Sequence, residues 1–553
     1  MTCQENLLSA ENPSPPPRSR WLILFFILIL AAFLRLVKLG QISPPGLNQD
    51  EAANAWSAYC LLKTGKDYSG AHWPIYYVRN LGGNSTSLYV YLLLPFQAIG
   101  GLNIYTAHLP AAVLGIFTVF VIYLVGKKLF DENTGLAAAA LLALNPWHLH
   151  ESRWGHEASI APLLGLAPLA LMLWAGLPVS DDKTASPRPI IAAVAGALTG
   201  IGCYGYHSVR LFVPAFLFVA VLFTLPAWLQ TLKTRKGILA AAAFIIAFFA
   251  FFGPLAWQHI FHPEGIGRHA LYQQGWVGSV PLSTAIKNVA VRYARHFSPY
   301  SYNCYTTPRY MLPLMTAGLI ILFVKFKPAL SARALLAFVL TYPIGDSLGW
   351  GLNVYKVYSL RSSPGLCSLI LLGAVGAVGA FKWLRGKNHL AASALTAILV
   401  ITMAVSHTSH LRYFYGGLNR QPEIYHDYNT DLVEACRWLQ PRFNDFDAVF
   451  CTTKGFNMPY VITTVALGYD PKKWFSDGFD FTTHGEFDIY TRYGKMYFMY
   501  DEFFKPPVEK TYPPGRTLFI VRPGELNFES ISAQLVHKII GPDGEIALLL
   551  YQV

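Results

Sequence analysis

LPAAVLGIFTVFVIYLVGKKLF, residues 109–130, holds no charged side chain until Lys127 and Lys128. A helix needs about 20 apolar residues to cross the ~30 Å of hydrocarbon in a bilayer. The run His108–Val125, closed by two lysines, meets that need and predicts a membrane span. Working outward, ten further runs repeat the pattern. They are Trp21–Leu39, Leu136–Pro146, Ala158–Leu177, Ile190–Tyr206, Leu211–Leu229, Ile238–Trp257, Met311–Phe323, Ala334–Pro343, Gly365–Phe381 and Leu390–Val405. The shorter ones reach spanning length with their flanks. The composition agrees, with 53% hydrophobic and 13% charged residues, where soluble chains carry about 25% charged.

The net charge of +12 would suit a nucleic-acid partner, but its placement excludes that reading. Arg18 and Arg20 precede the first run. Later basic residues sit in alternate short connections: Lys127 and Lys128; Lys183 and Arg188; Lys233, Arg235 and Lys236; Lys325, Lys327 and Arg333; Lys382, Arg385 and Lys387. This is the positive-inside pattern, and it sets the N-terminus in the cytoplasm. One further run, Leu88–Ile99, is too short to span comfortably and would invert the parity of every later basic loop. It is read as a helix in the outer interface. The expected fold is a mainly α, polytopic bundle of about 11 spans with a C-terminal extracytoplasmic α/β domain. Its parts are a disordered cytoplasmic lead (1–20), a membrane domain (21–410) with external loops 40–107 and 258–308, and an extracytoplasmic domain (411–553). The first span is read as uncleaved.

With this orientation the outer segments collect ionisable residues that connectors do not need. They carry Asp50 and Glu51; Arg153, His156 and Glu157; His207 and Arg210; Glu264, Arg268, His269, Arg292, Arg295 and His296; and Asp346, Lys356 and Arg361. An ionisable group inside a membrane helix costs ~2.5–3.5 kcal/mol on insertion scales, so such groups mark function or snorkel to the interface. Asp50 and Glu51 open a stretch of helical spacing, where carboxylates also complement the helix dipole.

The order of motifs carries a resemblance. GLNQDEAANAWSAYCLLKTGKDYSG (46–70) is followed by the short interfacial run and the 109–130 span. ALNPWHLHESRWGHEASIAPLL (143–164) and CYGYHSVRLFVPAF (203–216) come next. This series resembles the GT-C glycosyltransferases, in the branch of the protein O-mannosyltransferases and the lipid A aminoarabinose transferase, bacterial-type members above all. The likeness covers roughly residues 20–230 and is weaker at YSLRSSPGLCSLILLGAVGA (358–377). It implies a transferase that takes a sugar from a polyprenyl-phosphate or polyprenyl-diphosphate donor on the outer face, with inversion. The family's catalytic aspartate matches Asp50, and its second acidic residue falls nearest Glu157. Trp154, Gly155, His156 and Glu157 stand where relatives show Arg-Pro-Asp. Asn84, Ser85 and Thr86 replace a Lys-Pro-Pro of the lipid A branch, so other residues must hold the donor phosphate.

The chemistry asks for the same residue types. Glycosyl transfer needs a base for the acceptor's proton, and a carboxylate suits it. It also needs cations for the leaving phosphate, and the planar guanidinium matches phosphate oxygens two at a time. Asp50 is assigned as base, with Glu51 and Glu157 as further carboxylate candidates. Arg153, Arg210 and Arg361 are the phosphate-binding candidates, followed by His207 and Lys356. Arginines neutralising the phosphate alone is the favoured reading. A divalent cation, Mg or Mn, at Asp50 and Glu157 is the alternative. Expected partners are the lipid-linked donor, membrane lipid, and a glycan, lipid or protein acceptor. Rival functions are a transporter or flippase of lipid-linked sugars, or a membrane assembly factor without catalysis. No internal repeat supports a transporter.

Beyond about residue 411 the composition turns soluble. Helices are expected at Thr430–Leu439 and Pro459–Leu467. Strands are expected at Ala448–Thr452, Thr517–Val521, Val536–Ile540 and Ile546–Tyr551, the last two joined by the turn Gly541–Gly544. The seven cysteines show no metal-ligand spacing. Cys436 and Cys451 are a candidate pair in an oxidising compartment.

Overall fold

A computed structural model describes residues 18–182, 184–261, 281–298, 308–325, 329–348, 357, 359–484, 487–500, 516–526 and 533–553. The chain divides into two compact units. One comprises residues 1–37, 111–152 and 157–410; the other comprises 38–110, 153–156 and 411–553.

The first unit is an apolar helical bundle. Among the described residues of the chain, six helices are long and apolar enough to cross a membrane. They are Ser19–Leu36, Ile104–Leu129, Glu157–Trp174, Arg235–Phe261, Ser359–Lys387 and His389–Arg420. A bent pair, His207–Phe223 and Leu225–Thr231, makes a seventh if counted as one span. Shorter apolar helices lie at Glu132–Leu144, Pro189–Gly202 and Met311–Lys325. The protein is an integral membrane protein. The run 211–229, expected as one straight span, is broken by 80° at Thr224. Pro226 explains the break, because proline disfavours helix at the residue before it and lacks the N–H that would continue the ladder.

Packing in the bundle relies on small residues. A Cβ at Gly196 would come within 2.2 Å of the Phe244 carbonyl oxygen on the Arg235–Phe261 helix. Backbones that close gain dispersion contacts, which drive helix association where lipid is as apolar as leucine.

One end of this bundle gathers the loops expected on the cytoplasmic side. Lys382 pairs with Asp131 at 2.7 Å, Lys127 with Glu132 at 2.8 Å and Lys128 with Asp182 at 2.9 Å. Asp181 accepts from the backbone N–H groups of Leu330 and Ser331 at 2.8 and 3.1 Å. The Lys127 ammonium lies 5.5 Å from the Trp21 ring centroid. Segments 127–132, 181–182, 330–331 and 382 therefore share one end with the start of the first helix.

The second unit joins the first loop to the C-terminal region. Strands β1 (Tyr77–Asn80) and β2 (Gly83–Thr86) form a hairpin. A mixed seven-stranded sheet holds β3 (Ala448–Thr452), β4 (Phe479–His484), β5 (Phe487–Tyr493), β6 (Met496–Met499), β7 (Thr517–Val521), β8 (Gln534–Ile540) and β9 (Ile546–Gln552). Its order is β4-β5-β6-β3-β7-β9-β8. The central β3 runs parallel to β6 and β7 and is buried along its whole length, as strands covered on both faces are. Both expected helices and the expected strands form. β4 and β5 were not anticipated, because aromatic, acidic and threonine residues mix there without an apolar run, and the apolar run of β6 is only four residues long.

The helix Gln49–Thr64 explains why the first loop groups with this region. It buries Ala52, Ala53, Ala55, Trp56, Cys60 and Leu61. Trp56 packs edge-on against Trp474 at 5.6 Å, and the Trp474 indole N–H donates to the Tyr68 carbonyl at 3.0 Å. The interfacial run forms the helix Ser87–Gly100, whose Gln97 side chain donates to the Ala55 carbonyl at 2.9 Å. Cys436 and Cys451 lie buried in the core as free thiols rather than as a disulfide. Burial pushes the Cys436 thiol up to about 12.

Candidate active site

Asp50 and Glu51 sit in the first turn of Gln49–Thr64, and a capping box fixes that turn. The Asn48 side chain accepts from the Glu51 N–H at 3.0 Å, and Glu51 Oε2 accepts from the Asn48 N–H at 2.8 Å. Glu51 Oε1 accepts from the Gly155 N–H at 2.6 Å and lies 2.9 Å from His108 Nε2. Both oxygens of this wholly buried carboxylate are thus engaged in structure. Asp50, one residue earlier, points elsewhere on the helix and is half-buried. One carboxylate anchors the helix start; the other stands on the start it anchors.

Arg153 is also wholly buried. Its Nε donates to the Ser43 carbonyl at 3.0 Å, and its Nη2 donates to the carbonyls of Ile42 and Lys38 at 2.7 and 3.4 Å. The Tyr415 ring lies 5.4 Å from the guanidinium carbon. Burial holds its pKa below the ordinary arginine value. It fastens the loop that leads into Asn48 and Asp50. These donors are spent on backbone oxygens.

In the helical unit, charges gather around Tyr206. This buried tyrosine lies within electrostatic reach of Glu157, Arg361, Glu151 and Asp346. Glu157 is buried at the start of the short 3-10 turn Glu157–Ile160. Arg210 lies in the first turn of His207–Phe223, where its Nε donates to the Cys203 carbonyl at 3.2 Å. Its Nη1 lies 3.5 Å from His207 Nδ1. Gly345 brings the Arg361 segment to this helix. A Cβ there would meet the Arg361 carbonyl oxygen at 2.3 Å and the Ser208 Cβ at 2.9 Å, so only glycine allows the approach. Asp346, fully buried, lies 2.9 Å from His296 Nε2 and 4.0 Å from Arg292 Nε. Arg210, His207, Arg361 and Glu157, dispersed in sequence, are neighbours of one locality. Lys356 lies outside the described residues, as do Glu264, Arg268 and His269. Among the described residues, no group of three or more His, Cys, Asp or Glu is arranged to hold a metal ion.

Residues 84–257 match the family model of dolichyl-phosphate-mannose-protein mannosyltransferases. The match takes in Arg153, Glu157, His207 and Arg210. Among solved structures, the chain is similar to ArnT from Cupriavidus metallidurans in the apo state. The two are 12% identical, the alignment covers 96% of this chain and 98% of that one, and the TM-score is 0.56. The chain has the GT-C fold. ArnT bound to undecaprenyl phosphate gives 13% identity, 97% and 98% coverage and a TM-score of 0.52. The oligosaccharyltransferase AglB from Archaeoglobus fulgidus, solved with an inhibitory peptide and a dolichol-phosphate, gives 12% identity and a TM-score of 0.48. This chain spans 64% of its length, and 82% of this chain is covered. No curated protein matches.

Within this GT-C fold, some structural partners of the site left no mark in the sequence. His108 opens an apolar helix and reads there as an interfacial histidine, yet it lies against Glu51. Tyr206 reads as one aromatic among many, and its place among four charged residues follows from the packing of separate helices. Arg35, at the end of the first helix, is fully buried and donates to the carbonyls of Ala31 and Ala143 at 3.2 Å. It lies 2.8 Å from His148 Nδ1, and so ties the first helix to the PWH segment.

Proposed function

We propose that the protein transfers a sugar from a polyprenyl-phosphate or polyprenyl-diphosphate donor to an acceptor on the outer face of the membrane, with Asp50 as general base. Asp50 takes the proton of the acceptor hydroxyl as its oxygen attacks the anomeric carbon. The bond from that carbon to the donor phosphate oxygen breaks, and the lipid phosphate leaves with the electron pair. A single displacement inverts the anomeric centre. Arg210 and Arg361 hold the leaving phosphate, with His207 beside Arg210 and Lys356 as a further cation.

The observation that carries this reading is the fixed first turn on which Asp50 stands. Glu51 is buried and consumed by the cap, Gly155 and His108, while half-buried Asp50 rides on a rigid first turn. A base needs that combination of fixed position and access. The GT-C fold and the lipid-linked sugar chemistry named for the matching family add support. In this reading the loops that carry Asp50, Arg210 and Arg361 face the periplasm or cell exterior, and the N-terminus faces the cytoplasm. Glycan, lipid and protein acceptors all fit the chemistry.

The test is transfer of labelled sugar from a panel of polyprenyl-phosphate donors by the purified protein. Asp50→Asn lowers kcat by about 10²–10⁴, the usual worth of a general base. Full activity in that variant removes the base assignment. Transport of the donor without transfer favours a flippase. The arginine assignment predicts that transfer survives chelation by EDTA. Loss restored by Mg or Mn would instead make Asp50 and Glu157 metal ligands.

A further inference from the structure

A cavity of about 570 Å³ opens in the unit formed by the first loop and the C-terminal region. That volume lies within the ~300–1,000 Å³ usual for small-ligand sites. Its wall includes Thr430, Glu434 and Arg437, spaced four and three residues apart on the Thr430–Leu439 helix and therefore on one face of it. The opposite face, with Leu432, Cys436 and Leu439, is buried in the core. Core packing thus places Thr430, Glu434 and Arg437 together on the cavity wall.

Two details show that this wall is prepared for a polar ligand. The Thr430 hydroxyl is buried to more than nine-tenths and has no hydrogen-bond partner among the described residues. A buried hydroxyl left unmatched costs about 1–3 kcal/mol, so its presence asks for a partner. Tyr425, buried beside it, donates its hydroxyl to Glu434 Oε2 at 3.1 Å and fixes that carboxylate. Burial and the Glu434 charge push the tyrosine pKa up, which keeps the hydroxyl a donor. The facing wall is the loop through Gln41 and Pro45. Arg153 clamps it, and Ser43 holds it through its N–H to Asn419 Oδ1 at 3.0 Å. The same loop runs directly into Asn48 and Asp50.

The geometry points to a saccharide-binding subsite in this cavity, with Thr430, Glu434 and Arg437 taking sugar hydroxyls. Donors and acceptors alternate on one wall, while Pro45 and Ile540 offer apolar surface. A sugar ring has the matching character, with hydroxyls around its edge and an apolar C–H face. A phosphate would meet the Glu434 carboxylate, and a purely apolar ligand would leave the polar wall unmatched. The acceptor role of this saccharide rests on the transferase reading; its binding does not.

The experiment uses the full-length protein in detergent and a panel of maltose, cellobiose, mannobiose and N,N′-diacetylchitobiose, read by saturation-transfer NMR without donor. At least one disaccharide binds the wild type. Thr430→Val and Glu434→Gln each weaken that binding about tenfold, the loss expected for one hydrogen bond of this kind. Lys473→Ala, on an exposed surface, leaves it unchanged. Absence of binding across the panel, or equal binding in both cavity variants, overturns the proposal. Binding of a serine- and threonine-rich peptide in place of any disaccharide overturns it too. A separate transfer assay reads the acceptor role. There Thr430→Val raises the acceptor KM and leaves kcat intact, whereas a wild type that binds disaccharide but transfers nothing overturns the transferase reading alone.

Discussion

Asp50 and Glu51 are adjacent carboxylates whose sequence context barely separates them, and the fold gives them opposite tasks. Glu51→Ala removes the cap acceptor and leaves His108 and the Gly155 N–H without their buried partner. Buried polar groups left unmatched cost about 1–3 kcal/mol each, so thermal melting in detergent shows a drop of several degrees. Asp50→Asn leaves that melting temperature near the wild-type value while activity falls. Arg153 and Arg210 divide in the same way. Arg153→Ala exposes unmatched carbonyls in the 38–43 loop and destabilises the fold by about 3 kcal/mol. Arg210→Ala lowers kcat/KM for the donor by about 10²–10³, as loss of a transition-state charge partner does. Near-equal stability losses for the two arginines, with no difference in activity, would sink this division. The residue types were legible in the sequence; that Glu51 and Arg153 hold the fold was not, because their partners lie as far as 115 residues away along the chain.

Among the elements, the short helix Pro146–Glu151 carries the PWH motif and brings His148 to Arg35. Burial, with the Arg35 charge second, holds the His148 pKa well below the ordinary value. The folded histidine is therefore neutral where the unfolded one takes up a proton, below about pH 6.5. Unfolding then binds a proton, so stability is full above that pH and falls as the pH drops below it. Melting curves between pH 8 and pH 5 test this, with His148→Gln showing the shallower decline. An unchanged slope would show that Arg35 and His148 do not set the acid sensitivity. The motif itself could be recognised from its residues, and its spacing promised a functional loop. That it serves as a joint for the first helix required coordinates. The break at Thr224 was half legible: Pro226 was visible, but a single apolar run concealed its consequence.

At the scale of the molecule, ion pairs bind the loops 127–132, 181–182 and 382 at one end of the bundle. The proposed orientation puts that end in the cytoplasm and the β-sheet unit outside. Lys128→Cys and Asp480→Cys test it in intact cells with a membrane-impermeant thiol reagent, each compared with its parent. The expected result is labelling at position 480 and protection at position 128 until the cells are opened. The reverse pattern would place Asp50 on the wrong side for an external acceptor.

Taken alone, the sequence determined the membrane class, most span positions, the basic loops and, beyond residue 411, two helices and four strands. These are readable because hydrophobic length and periodicity are local quantities, written in consecutive residues. Only the tertiary structure decided that residues 38–110 join the C-terminal region. It alone gathered Glu157, Arg361 and Asp346 around Tyr206, and turned a polar helix stripe into a cavity wall. Those outcomes depend on which buried faces fit one another and which distant polar groups satisfy them. A linear pattern does not encode that pairing.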